Sequence, residues 1–280
     1  PMIGPPTRPA LTPSIVRAGL VGGPIIGGIA SDPNIIGSIA TVALPFYIAL
    51  GIVAVTSILV IAFFHDVRKT REPFTFRPLE VFDCLWRIRQ FPLVMRLTAV
   101  LFFFHIANVT FYVFIDTYMS TRFGYGTLGV SMVMLTIGVA IALTSTFLVV
   151  PAQKRFTKTM IVRINLIIWV FGAAAVILIP VGIYVFIAIF VFYAFFGVTY
   201  PTILAIFSLS VDDSEQGWVM GITIAVFTLC GGIMSLIGAW LMSINIDLPF
   251  YVTIGAALVA MGAMSLLWTS EDVRKITGRV

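Results

Sequence analysis

Apolar residues along this chain come in long runs, and polar residues gather in the short gaps between them. Runs of about 20 apolar residues match a hydrocarbon core of roughly 30 Å, so each reads as a membrane-spanning helix. The pattern predicts eight spans, at about 14–32, 42–64, 92–118, 127–150, 160–180, 182–208, 217–242 and 249–269. The run from Asn165 to Val211 is too long for one crossing at about 1.5 Å per residue, and "IPVG", Ile179 to Gly182, marks the hairpin that divides it. Segment 65–91 is the longest and most mixed gap, and its second part reads as a short amphipathic helix on the membrane surface. The chain thus divides into a pair of spans (1–64), a linker (65–91), a six-helix unit (92–270) and a tail (271–280).

Composition agrees with this pattern: 60% of residues are hydrophobic and 10% charged, where soluble domains run nearer half and a quarter. The fold class predicted is an all-α polytopic membrane protein. A net charge of +5 raises the question of nucleic acid. The basic residues answer it, because they lie in alternate loops and not on a domain-sized surface. Loop 65–91 holds Arg68, Lys69, Arg71, Arg77, Arg87 and Arg89; loop 151–159 holds Lys154, Arg155 and Lys158, with Arg163 just beyond; the tail adds Arg274, Lys275 and Arg279. Arg122 is the one exception in the opposite loops. This asymmetry predicts both termini in the cytoplasm and, in a bacterium, residence in the inner membrane.

Cys84 and Cys230 have no histidine or aspartate at ligand spacing, so neither a disulfide nor a metal site is expected, and no cofactor is implied. Pro1, Pro5, Pro6, Pro9 and Pro13 predict a non-helical start, and the absence of an initiator methionine suggests a partial chain.

The first span contains "RAGLVGGPIIGGIAS", Arg17 to Ser31, with five glycines and a proline. Gly19, Gly23 and Gly27 recur every four residues and form one smooth stripe, which Gly22 and Gly28 widen. Small residues let helices approach closely in lipid, where the hydrophobic effect does not drive association. Pro24 predicts a bend beside the stripe. The order Gly19-x-x-x-Gly23-Pro24-x-x-Gly27-Gly28, preceded by Arg17, resembles the antiporter motif on the fifth helix of proton-coupled drug exporters of the major facilitator superfamily. Gly197-x-x-x-Pro201, followed by "SVDDSEQGWVMG" with Glu215, Gln216, Gly217 and Gly221, resembles the region between helices ten and eleven of tetracycline-type exporters. "VVPAQKRFTKTM" is a degenerate form of the loop between helices eight and nine. The resemblance implies a major facilitator-type bundle in which eight helices of an expected twelve, five to twelve, are present. The missing N-terminal helices would then come from a longer chain or a partner subunit. It also implies that the glycine helix packs against the fourth span.

The third span carries His105, Asn108, Tyr112 and Asp116 at offsets of three, seven and eleven, so they share a face that Thr98 extends. Polar groups in a span face the bundle interior and mark a pathway. His105, which titrates nearest physiological pH, is expected either to bind substrate or carry a proton, or to hydrogen-bond a neighbouring helix. Asp116, about 16 Å further along, is expected either to belong to the substrate or proton pathway or to pair with Arg122 at the interface. Tyr193, Gly197 and Tyr200 share a face of the sixth span, where tyrosine either stacks on a ligand or packs in the core. Asn165 is expected to hydrogen-bond locally. Two small-residue stripes, Gly138/Ala142/Thr146 and Gly231/Ser235/Ala239/Ser243, predict further close helix contacts.

The function these features suggest is a secondary carrier exporting small, amphipathic or drug-like molecules in exchange for protons. A symporter or metabolite exporter on the same fold is an alternative. So is a non-transporting membrane interaction protein, which an uncovered glycine face would favour. An enzyme is not expected, since the spans hold no carboxylate pair, no His-Glu metal spacing and no nucleophile beside a base.

Overall fold

The computed structural model describes residues 11–41, 43–63, 86–179 and 181–278, with the side chains of 11–18, 20, 38 and 272 outside the description. The helices are α1 Leu11–Ser31, α2 Pro33–Ile36, α3 Leu44–Phe63, α4 Pro92–Phe123, α5 Thr127–Phe147, α6 Val149–Arg155, α7 Lys158–Leu178, α8 Gly182–Ser208, α9 Gln216–Ile244, α10 Leu248–Leu267 and α11 Glu271–Thr277. No strand occurs among the described residues. Seven helices, α3, α4, α5 and α7 to α10, are long and apolar enough to cross a membrane, and the described apolar part of α1, Val21–Ser31, is shorter. The protein is an all-α polytopic membrane protein.

Local chemistry sets the helix ends. Pro92 and Pro249 sit in the first turns of α4 and α10, where a missing N–H costs nothing. Pro13 likewise falls in the first turn of α1, so the start is helical from Leu11 despite the proline-rich lead. Thr157 caps α7 by accepting the Met160 N–H at 3.2 Å. Helix α4 runs five residues past its predicted end and stops at Gly124, whose φ of 69° is the left-handed conformation glycine adopts freely. The basic part of the linker (Arg68, Lys69, Arg71, Arg77) and Cys84 lie outside the described residues, as do Pro180 and the Arg17 side chain. The described end of the linker, Arg87–Gln90, is a single 3-10 turn.

Helices α4, α5 and α7 to α10 form the bundle. Helix α10 packs on α4 and α7, α9 on α4, α8 on α5 and α7, and α1 on α5. The core is aromatic: Trp169 stacks on Phe192 at 4.7 Å and on Phe104 at 4.6 Å, Phe111 lies 3.9 Å from Phe192, and the Trp169 indole N–H donates to the Phe192 carbonyl. Two glycines allow the closest crossings. A Cβ at Gly197 on α8 would meet the Thr144 hydroxyl and the Ile141 backbone of α5, and one at Gly238 on α9 would enter the Phe114 ring of α4. Gly138 of the first small-residue stripe is buried, whereas Ser235, Ala239 and Ser243 of the second are exposed. The α4–α9 approach is therefore made by Gly238, one position off that stripe, because the glycine must lie under the facing phenylalanine ring.

Ion pairs tie both ends of the bundle. At one end Arg122 reaches Asp247 at 2.6 Å, the Tyr118 hydroxyl at 2.7 Å and the Ile177 carbonyl at 3.2 Å, joining α4, α7 and the α9–α10 turn. This corrects the expected Asp116–Arg122 pair. At the other end Arg87 reaches Glu215 at 2.7 Å and lies over the Phe91 and Trp218 rings. Both pairs are partly exposed, but Arg122 makes three polar contacts to three elements. Arg122→Leu should therefore lower unfolding stability by about 1–2 kcal/mol, and Glu215→Gln by about 0.5 kcal/mol, in detergent thermal denaturation.

Candidate functional site: a cavity beside the glycine helix

A cavity of about 740 Å³ lies where α4, α5, α8 and α9 face Pro24 of α1. Asn108 and Tyr112 come from α4, Met134, Ile137 and Ile141 from α5, Tyr193 and Phe196 from α8, and Phe227, Thr228, Gly231 and Gly232 from α9. Pockets of this size with apolar walls and few polar groups suit small organic molecules.

The helical period delivers these residues. Asn108 and Tyr112 are one turn apart on α4, Tyr193 and Phe196 nearly so on α8, and Phe227 and Gly231 on α9. Their rings form an arc: Tyr112 lies 6.5 Å from Tyr193, Tyr193 6.0 Å from Phe196, and Phe196 5.4 Å from Tyr200. The arc continues through His105, 6.0 Å from Tyr200 and 5.2 Å from Phe227. Two buried polar atoms on the cavity wall have no hydrogen-bond partner among the described residues, Asn108 Oδ1 and the Tyr193 hydroxyl. An unpaired buried polar atom is costly, so such atoms are what an incoming polar group would satisfy. Among the described residues no Lys, Arg, Asp or Glu lines the cavity.

The structure divides the predicted polar face of α4. Asn108 and Tyr112 reach the cavity, while His105 is fully buried behind Phe227. Neither ring nitrogen of His105 has a hydrogen-bond partner among the described residues, so the expected bond to a neighbouring helix is not made. The same holds for both polar side-chain atoms of Asn165, contrary to the local bond expected there, and for the Thr98 hydroxyl. Asp116 lies one turn beyond Tyr112, within electrostatic reach of Tyr112 and Tyr193, and its Oδ1 is buried and unpartnered.

On the glycine helix, Gly28 makes the close approach: a Cβ there would lie 2.6 Å from Ser131 Oγ on α5. Gly19, Gly22, Gly23 and Gly27 have open space where a Cβ would sit. The expected packing of α1 on the fourth span is present, but through the flank of the stripe. Pro24 faces the cavity. Pro201 lies inside α8, which runs unbroken past it, and its missing N–H leaves the Gly197 carbonyl without the usual helical donor. Glu215 holds Arg87, and Gln216 donates to Asp213 at 2.9 Å. Gly217 and Gly221 are exposed with no neighbour near a Cβ position.

Sequence reasoning missed the α5 wall, Phe196 and Phe227 on the cavity lining, and the role of Gly231. Gly231 was legible as a small residue, yet it enlarges the cavity and makes no close helix contact. Compared with known proteins, the chain matches no family model and no curated protein.

Proposed function

We propose that the protein is part of a secondary active transporter that exports small amphipathic molecules in exchange for protons, with the aromatic cavity as its substrate site. The observation that carries this reading is the cavity itself. It lies between helices, beside a glycine-rich helix, and its wall holds two unpartnered buried polar atoms in an otherwise apolar lining. Transporters built from repeated helix bundles bind substrate near the bilayer midplane between bundles and rock one against the other. In this reading the face with Arg87, Lys154, Arg155 and Lys158 is cytoplasmic, as the positive-inside rule requires, and both termini lie there. Asp116 and His105, which flank Asn108 and Tyr112 on α4, would carry the proton. Pro24 and Gly28 place α1 as the moving wall. The major facilitator resemblance supplies the remaining helices, from a longer chain or a partner subunit. The apolar α3, none of whose described residues is buried, and the open surface at Gly19 and Gly23 supply support for such a partner.

The same open glycine surface favours a second reading, a membrane interaction protein that pairs through α1 without transporting. The intact mass of the native gene product separates the two: a mass well above 30.6 kDa favours the carrier, and a mass equal to it favours the interaction protein.

The cavity assignment is tested by binding. Ethidium, tetracycline and chloramphenicol are titrated into purified protein and into Asn108→Leu, which keeps the branching of the side chain and removes the acceptor. At least one ligand should bind the parent protein and lose about tenfold in affinity to the variant. Equal binding to both would remove the cavity from the account.

A further inference from the structure

We propose a binding site for an anionic phospholipid at the α6 end of the bundle, distinct from the central cavity. A second cavity of about 270 Å³ lies between α6, α7 and α8, and its wall is apolar except for Arg155. Leu148, Pro151 and Ala152 form one side, Ile161 and Ile164 the second, Phe195 and Val198 the third. Leu148 and Phe195 at its edge are exposed apolar residues on a membrane-spanning bundle, so the slot opens toward lipid. Helix α6 is pinned over it by Gln153, which donates to the Thr202 hydroxyl of α8 at 3.0 Å.

Charge complementarity identifies the occupant. Arg155 makes no ion pair among the described residues; its guanidinium lies 5.9 Å from the Phe156 ring. Lys154 and Arg163 are exposed, also without an ion-pair partner among the described residues. Arg163 stands about 7.5 Å along α7 from Lys158, near enough to the helix end for an exposed arginine to snorkel to the headgroup level. Lys158 is not part of this set, since its ammonium is buried and donates to the Ile276 carbonyl of α11 at 3.2 Å. An unpaired arginine on the wall of an apolar slot that opens toward lipid, with Lys154 and Arg163 exposed close to it in the chain, fits part of one acyl chain and the phosphate of an anionic lipid. The inference rests on the protein being embedded in a membrane and is independent of the transport reading.

The test is native mass spectrometry of the full chain in detergent with equimolar dioleoyl phosphatidylglycerol and dioleoyl phosphatidylcholine. Phosphatidylglycerol should be retained in preference. Arg155→Gln and Arg163→Gln should each reduce its retention about fivefold. Ala152→Phe, which fills the slot and leaves the charges alone, should reduce it as well. Arg274→Gln, an equal charge loss at an exposed position of α11, should leave it unchanged. Equal retention of the two lipids, an equal effect of Arg274→Gln, or no effect of Ala152→Phe would overturn the proposal. Displacement of the lipid by inorganic phosphate would reduce the site to a free-anion site and overturn it too.

Discussion

Gly197→Ala should destabilise the detergent-solubilised protein by about 1–3 kcal/mol, although alanine is normally the better helix former. The reason is the α5–α8 crossing. The added methyl would overlap the Thr144 hydroxyl, which donates to the Ala140 carbonyl, and would lie 3.1 Å from the Ile141 Cα and carbonyl oxygen. Backbone does not yield as a side-chain tip does, so the two helices must separate. Removing the hydroxyl in the Gly197→Ala/Thr144→Ala double variant relieves the worst overlap and should recover part of the loss. The coupling between the two sites should therefore be of order 1 kcal/mol. Thermal unfolding of the four proteins checks this, and simple additivity would show that the crossing is looser than described.

Gly28→Leu and Gly23→Leu should behave differently. At Gly28 a side chain meets Ser131 Oγ at 2.6 Å and Ser131 Cβ at 2.7 Å, so α1 must leave α5. In lipid, where close packing holds helices together, that loss should cost about 1–3 kcal/mol and open the cavity wall at Pro24. Gly23 has nothing within 4 Å of a Cβ, so its replacement should change stability by less than about 0.5 kcal/mol. In the carrier reading Gly23→Leu should nonetheless abolish export while the protein still inserts, because its face is the one left for further helices. Measuring unfolding and export for both variants separates the two effects. Full export by Gly23→Leu would remove the stripe from the mechanism.

Hydropathy made the helices legible, since a span must be apolar over its whole length and the gaps between spans carry the charges. What stayed hidden depends on partners distant in sequence. Helical period placed Asn108, Tyr112 and Asp116 on a common side of α4, but nothing local shows that Phe227 of α9 covers His105. The expected Asp116–Arg122 pair illustrates a limit of proximity along the chain. Six residues in a helix turn through about 600°, which leaves the two side chains about 120° apart. Asp247, 125 residues away, takes the arginine instead. Likewise the glycine stripe was plain, yet the glycine that packs is fixed by where Ser131 of α5 arrives.

The most direct test of the central claim is proton coupling in inverted membrane vesicles containing the native gene product, energised to an acid interior and followed with a pH-sensitive dye. Adding ethidium, tetracycline or chloramphenicol should dissipate the gradient for at least one compound, and Asn108→Leu should reduce that response about tenfold. A gradient that none of the three disturbs, or a response unchanged in Asn108→Leu, would contradict export through this cavity.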